Sequence, residues 1–165
     1  MTEAWLSGPI EGVDAMLLPA AHSFVQARLD LAEAAGELSL EQLWARPGGA
    51  ASVAFHIRHT AGATDRLLSY ARGAALTPEQ LAAARAEADA MPVAAEVLLA
   101  QLDAALDAAL AQLRGTPRES LLDGREVGRA KLPSTVLGLI FHAAEHATRH
   151  AGQAITTAKM VKAAV

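Results

Sequence analysis

The sequence contains no cysteine, and this absence excludes two large classes of protein. Without thiols the chain can form neither a disulfide framework nor a thiolate zinc site, so a metal would have to be held by imidazole, carboxylate or water. Aromatic residues are also scarce, at 4% of the chain. Aromatic and β-branched residues favour strands, whereas the abundant alanine and leucine favour helices, and the composition therefore predicts an all-α fold.

The chain also lacks extremes of charge and hydropathy. The formal net charge is −4 and no basic cluster occurs, which argues against nucleic-acid binding. No apolar run reaches the ~18 residues that a membrane span needs, and the N-terminal stretch lacks the basic start of a signal peptide. We therefore expect a cytoplasmic protein. The length of 165 residues, without repeats or low-complexity linkers, predicts a single domain over residues 1–165.

Four long segments carry apolar residues at helical spacing, and together they predict a four-helix bundle. Pro19 should kink the first of these helices or delay its start. Ser39–Gln42 and Thr77–Gln80 have the form of capping boxes, which predict short extra helices in the connections. The predicted long helices cover about residues 10–35, 52–72, 93–114 and 133–161.

The segment 118–132, which joins the last two long helices, carries basic residues among glycines. It has two interpretations, and the sequence does not decide between them. One is a solvated loop. The other is an anion-binding rim over a pocket, formed by Arg118, Arg125, Arg129 and Lys131.

Three of the six histidines form a column on the last long helix, because His142, His146 and His150 are spaced four residues apart. Each step of four climbs ~6 Å, so the outer two lie ~12 Å apart along the axis. Metal–nitrogen bonds are only ~2.0–2.1 Å long, and these two cannot easily share one ion in an unbroken helix. The column therefore offers either His142 with His146 or His146 with His150, and a further ligand must come from elsewhere.

A second group of histidines supplies candidates for that further ligand. His56 and His59 are near neighbours at the start of the second long helix. Five of the six histidines thus fall in two short helical windows. Such clustering favours a shared metal site over ordinary, solvated histidines on helix surfaces.

The motifs His59-Thr-Ala and His146-x-x-x-His150-x-Gly-Gln153 resemble those of the DinB/YfiT-like superfamily, and the resemblance covers nearly the whole chain. It implies an up-down-down-up four-helix bundle, usually dimeric. It also implies a divalent metal, often zinc or nickel, held by His59, His146 and His150. Characterised relatives include S-transferases and isomerases that use low-molecular-weight thiols such as bacillithiol or mycothiol. The resemblance therefore implies a metal-dependent S-transferase or isomerase acting on a small thiol and an electrophilic substrate.

The chain has histidines beyond the family's pattern. His56 and His142 lie one helical step from the implied ligands, where they could line the pocket, carry protons or replace a ligand. Arg58, Arg125 and Arg129 are candidate substrate-binding residues, because a guanidinium can hold a thiol's carboxylate with two hydrogen bonds.

Two other functions compete with thiol transfer. One is a non-catalytic, metal-dependent binding or stress-response module, since a fold does not determine a function. The other is a zinc hydrolase, because His142-Ala-Ala-Glu145-His146 matches the His-x-x-Glu-His motif. That motif needs a downstream acidic ligand, yet no acidic residue follows His150. Glu145 also has a ready partner in Arg149, four residues on, so the hydrolase is a remote alternative.

Overall fold

A computed structural model of the protein describes residues 3–89 and 91–163, and this part of the chain is mostly helical. No helix within this part of the chain combines the length and the apolar character that a membrane span requires. Two short strands form a small sheet beside the helices. In chain order the elements are α1 (Leu18–Ala35), α2 (Leu40–Trp44), α3 (Val53–Ala71), α4 (Pro78–Ala86), α5 (Ala95–Arg114), β1 (Gly124–Val127), β2 (Leu132–Thr135) and α6 (Val136–Ala163).

The four longest helices share one apolar core. Both α3 and α1 contact α5 and α6, and each of the four contributes buried residues. The α5 helix contributes a stripe of leucines, and each fully buried leucine stabilises the fold by roughly 1.5–3 kcal/mol. The stripe of α6 consists largely of alanine. Small side chains allow a neighbouring helix to lie close, since the distance between helix axes depends on the residues at the contact.

Capping residues define several helix starts where the sequence predicts them. Ser52 precedes α3, and its hydroxyl accepts a hydrogen bond from the backbone N–H of Phe55 at 3.1 Å. Ser39 and Thr77 form capping boxes that begin α2 and α4. Each cap satisfies helix N–H groups that otherwise have no partner, which explains why these boundaries can be predicted from local sequence.

The first long helix begins later than its apolar pattern suggests. The pattern predicts a start near Ile10, but α1 begins at Leu18 with Pro19 in its first turn. Gly12 has a φ of 75°, which is incompatible with a right-handed helix. The delayed start at Pro19 is therefore confirmed, and the residues before it that were expected to be helical form turns and irregular backbone.

The expectation of an all-α chain needs correction, because β1 and β2 form an antiparallel hairpin. Strand β1 lies within the segment 118–132, which was predicted to be a loop or an anion-binding rim, while β2 begins at the end of that segment and continues into the predicted last helix. Pro133, the first residue of the predicted last helix (133–161), lies instead in β2 opposite Glu126. The helix α6 starts at Val136 instead. The Thr135 hydroxyl accepts a hydrogen bond from the backbone N–H of Gly138 at 3.0 Å, in the manner of an N-cap.

Candidate metal centre

The packing of α3 against α6 brings the two groups of histidines together. Six alanines of α6 are buried on the side that packs into the core: Ala143, Ala144, Ala147, Ala151, Ala154 and Ala158. The histidines of α6 flank this stripe of alanines. The histidines of α3 lie in the first two turns of that helix, after its N-cap residue Ser52. The two helices thus present imidazoles from both sides of one contact.

Three of these imidazoles form a compact group. One ring nitrogen from each of His59, His146 and His150 lies within 4.8 Å of the other two. The ring centroids are 4.9 Å apart for His59 and His146, 4.6 Å for His59 and His150, and 4.5 Å for His146 and His150. All three side chains are partly buried. The structure therefore brings together the same three residues that the family resemblance implies.

The spacing of the nitrogens fits a single metal ion. The Nε2 atoms of His59 and His146 are 3.4 Å apart. Two nitrogens bound at ~2.0–2.1 Å to one tetrahedral ion would also lie ~3.4 Å apart. Three imidazoles leave a fourth tetrahedral position for another ligand, which is the usual arrangement of catalytic rather than structural zinc sites. The donor set thus suits a divalent ion that prefers nitrogen, such as zinc or nickel.

The surroundings keep two of the candidate ligands uncharged. Burial, together with the neighbouring histidines and Arg149, lowers the pKa of His146 to about 4. Burial and the adjacent histidines lower the pKa of His150 to about 3. Only a neutral imidazole has a lone pair for a metal. The two α6 histidines are therefore in a metal-competent state at neutral pH.

A buried carboxylate supports the third candidate ligand, and it was not among the residues singled out in the sequence. Glu87 accepts a hydrogen bond from Nδ1 of His59 at 2.7 Å and two from Arg66, at 2.5 and 3.2 Å. Burial alone would raise the pKa of Glu87, but the bonds from His59 and Arg66 hold it below its usual value. Phe55 stacks on the His59 ring, with centroids 5.2 Å apart.

His56 lies behind the group rather than within it. Its ring is buried, and its Nδ1 is 2.9 Å from Nδ1 of His150. Burial, followed by the electrostatic influence of the neighbouring His59, lowers the pKa of His56. Because this contact uses Nδ1 of His150, it leaves Nε2 of the same ring as the nitrogen available to a metal. This contact suits a residue that orients the His150 ring rather than one that binds the metal itself.

His142 lies at the exposed end of the column. Each step of four residues turns the helix ~40° beyond a full turn, so His142 is rotated ~80° away from His150. Its side chain is 51% exposed, and its Nδ1 is 3.5 Å from a carboxylate oxygen of Glu145. Glu145 is held by Arg149 through bonds of 2.5–2.9 Å. The His-x-x-Glu-His motif therefore has its acid engaged with an arginine and its first histidine outside the three-histidine group.

The three candidate substrate-binding arginines lie in different places. Arg58 donates hydrogen bonds to the backbone carbonyls of Ala86 and Asp89, at 2.9 and 2.8 Å, and so caps the end of α4 beside His59. Arg125 donates to the carbonyl of Ala71 at 2.9 Å. Ala71 ends α3 about 18 Å along the axis from His59, at 1.5 Å per residue. Arg129 is exposed in the turn of the β-hairpin.

Comparisons with known proteins identify the family. Residues 23–154 match the model of the DinB superfamily. The fold is similar to that of a conserved protein from Enterococcus faecalis known from its crystal structure, with a TM-score of 0.69, 20% identity, and coverage of 87% of this chain and 95% of that one. A search of the curated proteins found no match. Since the superfamily match spans most of the chain and includes the three histidines, this protein belongs to the DinB superfamily.

Proposed function

We propose that this protein is a metal-dependent S-transferase or isomerase that uses a low-molecular-weight thiol. The observation that carries the proposal is the convergence of His59, His146 and His150 within 4.8 Å. A bound zinc or nickel ion there would supply the positive charge that lowers the pKa of a thiol. A free thiol has a pKa near ~8.5 and is only a few per cent ionised at neutral pH. The chain has no cysteine, so the thiol must come from a small molecule.

The residues of the chain would perform three tasks in such a reaction. His146 and His150 stay neutral, which leaves the charge of the ion uncompensated and favours a thiolate partner. The stacked Phe55 and the buried helix faces limit water on one side of His59. His56, whose Nδ1 is 2.9 Å from Nδ1 of His150, would accept the proton on that nitrogen and so orient the His150 ring.

A cavity beside the candidate centre offers room for a substrate. It has a volume of about 600 Å³, and its lining includes His56, the residue that contacts His150. Clefts of ~300–1,000 Å³ are typical of small-molecule sites. Its lining is mostly small or polar: Ala50, Ala51, His56, Arg149, Gly152, Gln153, Thr156, Thr157 and Met160. Of the three arginines that the sequence offers as carboxylate-binding residues, Arg58 is the nearest to the candidate metal centre. It could bind a carboxylate only if it gave up its hydrogen bonds to the backbone carbonyls of Ala86 and Asp89.

We also propose that the four long helices form an up-down-down-up bundle and that two chains associate as a homodimer. The contacts of α1 and α3 with both α5 and α6 support the bundle. Phe141, which is 66% exposed on α6, borders a groove shared with Pro19 and Ala20 of α1. An exposed aromatic side chain beside an apolar groove is typical of a protein–protein contact. Light scattering at micromolar concentration should give the mass of two chains, whereas the mass of one chain would exclude the dimer.

The test of the transferase is a screen of thiols with zinc-loaded protein. Bacillithiol, mycothiol, glutathione and coenzyme A would each be supplied with model electrophiles, with His150→Ala and chelator-treated protein as controls. We expect at least one thiol to react faster with the loaded protein than with either control. If no thiol reacts above the uncatalysed rate and none binds by calorimetry, thiol transfer is wrong. The non-catalytic, metal-dependent binding module then becomes the better explanation of the same histidines.

A further inference from the structure

The connection between α3 and α5 contributes one buried residue to the interior. Among residues 72–89, 91 and 92, Glu87 alone is buried, and it is 8% exposed. A carboxylate is very rarely this buried unless its charge is paired. Here both oxygens are engaged, one by Arg66 and the other by Arg66 and His59. The position of Glu87 therefore depends on polar contacts with α3 rather than on apolar packing of its own helix.

We propose that Glu87 is the positioning residue of His59: its carboxylate holds the proton of that imidazole on Nδ1 and aims Nε2 at His146 and His150. An ionised carboxylate can only accept hydrogen bonds, so the nitrogen 2.7 Å away must be the donor. A neutral imidazole with a proton on Nδ1 has its lone pair on Nε2. That atom is the one that lies 3.4 Å from Nε2 of His146.

Carboxylate partners of this kind orient metal-binding histidines and make them stronger ligands. The inference rests on the proposed metal site, but not on thiol transfer.

A glycine in the middle of α3 makes room for this carboxylate. Glycine inside a helix is destabilising compared with alanine, but its lack of a Cβ allows another group to approach the helix closely. A Cβ at Gly62 would lie 2.3 Å from Oε1 of Glu87 and 2.8 Å from Nη1 of Arg66. Since both atoms are at the ends of flexible side chains, an alanine here would push the ion pair aside without opening the core. Gly62 thus leaves the space in which the Glu87 carboxylate and the Arg66 guanidinium form their ion pair.

The arrangement also connects α4 to the candidate metal centre. The end of this helix is fixed to α3 by Arg58, through the carbonyls of Ala86 and Asp89, and by the side chain of Glu87. Gln80, near its start, donates to a carboxylate oxygen of Asp65 at 2.7 Å. None of the residues of α4 itself is buried. The short helix α4 is therefore attached to α3 by hydrogen bonds rather than by apolar packing. The last of these bonds joins Glu87 to His59, the histidine that faces His146 and His150.

The decisive experiment measures the His59 tautomer and zinc affinity in the same variants. Two-bond ¹H–¹⁵N correlation spectra of metal-free protein report which ring nitrogen carries the proton. We expect a proton on Nδ1 in the native protein and loss of this preference in Glu87→Ala and Gly62→Ala. Calorimetric titration should show zinc affinity reduced by about 10–100-fold in both variants. Glu87→Gln keeps a neutral acceptor for Nδ1, so it should retain the tautomer and lose less affinity.

Glu145→Ala is the matched control, because it also removes a carboxylate that neighbours a histidine of the cluster. Its tautomer pattern at His59 and its zinc affinity should equal those of the native protein. If Glu87→Ala is poorly folded, Gly62→Ala and Glu87→Gln decide the question. The inference is overturned if His59 keeps its Nδ1 proton and native zinc affinity when the carboxylate is displaced. Failure of the native protein to bind zinc would instead refute the metal site, while the metal-free spectra still decide the role of Glu87.

Discussion

Two glutamates contact histidines of this cluster, and they differ in almost every physical respect. Glu87 is buried, comes from a different segment of the chain, and accepts from His59 at 2.7 Å. Glu145 has a side chain that is 39% exposed, lies on the same helix as His142, and is 3.5 Å from it. The acidic residue that stands out in the sequence motif is therefore the exposed one. The residue that the fold places against a candidate ligand has no motif around it.

The difference shows how burial, rather than proximity alone, gives a carboxylate influence over an imidazole. An exposed pair is weakened by water and salt and contributes little. A buried and fully bonded carboxylate is not screened in this way, and removing its partner leaves a costly unpaired charge. We therefore expect substitution to have a large effect among the partly buried histidines His59, His146 and His150, and a small effect at the exposed His142.

The largest expected effect is at His146 and His150, which form the inner end of the histidine column on α6. His146→Ala and His150→Ala should each lose most of the bound zinc, because three nitrogens cannot be replaced by two without weakening the site. His142→Ala should keep native zinc content, since this side chain is exposed and outside the three-histidine group. Elemental analysis of protein purified without a nickel column would test this. Equal metal loss in all three variants would remove the distinction between the two ends.

Acid should destabilise the metal-free protein through the inner histidines. In the unfolded chain His146 and His150 have a pKa of ~6.5, whereas in the fold the values are about 4 and 3. Between these limits the unfolded chain binds more protons, so the free energy of unfolding decreases as pH falls below ~6.5. Urea unfolding at pH 7, 6 and 5 should show this decrease, and the double variant His146→Ala/His150→Ala should show a smaller one. An unchanged pH slope in the double variant would contradict the assignment.

Much of the fold follows from local sequence. The Ser52 cap, the capping boxes at Ser39 and Thr77, and the delayed start at Pro19 all involve groups within one turn of each other. The hairpin was missed because its strands are four residues long and lack a clear alternation of apolar and polar residues. Pro133 reads equally well as a helix start when its partner strand is unknown. The spacing of apolar residues along the chain predicts helices, but it does not show that two short strands pair across a turn.

The candidate site was predictable to the extent that its residues repeat at helical spacing. His146 and His150 share a face because they are four apart, and the family motif added His59. Glu87 was not predictable in this way, since it is 28 residues from His59 and outside any periodic stripe. The one local indication was Gly62, a glycine within an otherwise regular helix, which marks a close approach by another group.

The smallest expected effect is at the outer glutamate. Glu145→Gln should leave zinc content and any thiol transfer close to native, because its carboxylate is bonded to Arg149 at the exposed surface. An exposed pair four residues apart is worth only ~0.3–0.5 kcal/mol. Urea unfolding of native and variant protein should differ by no more than this. A large loss of a hydrolytic activity in the variant would instead support the His-x-x-Glu-His hydrolase.

The most direct test of the central claim compares the two histidines of α3. His59 has a nitrogen within 4.8 Å of those of His146 and His150, while His56 contacts His150 from behind through Nδ1. Native mass spectrometry of zinc-loaded protein would count the ions held by each chain in His59→Ala and His56→Ala. We predict one ion per chain in the native protein, none in His59→Ala and one in His56→Ala. Full occupancy in His59→Ala together with loss in His56→Ala would show that the ligand from α3 is His56.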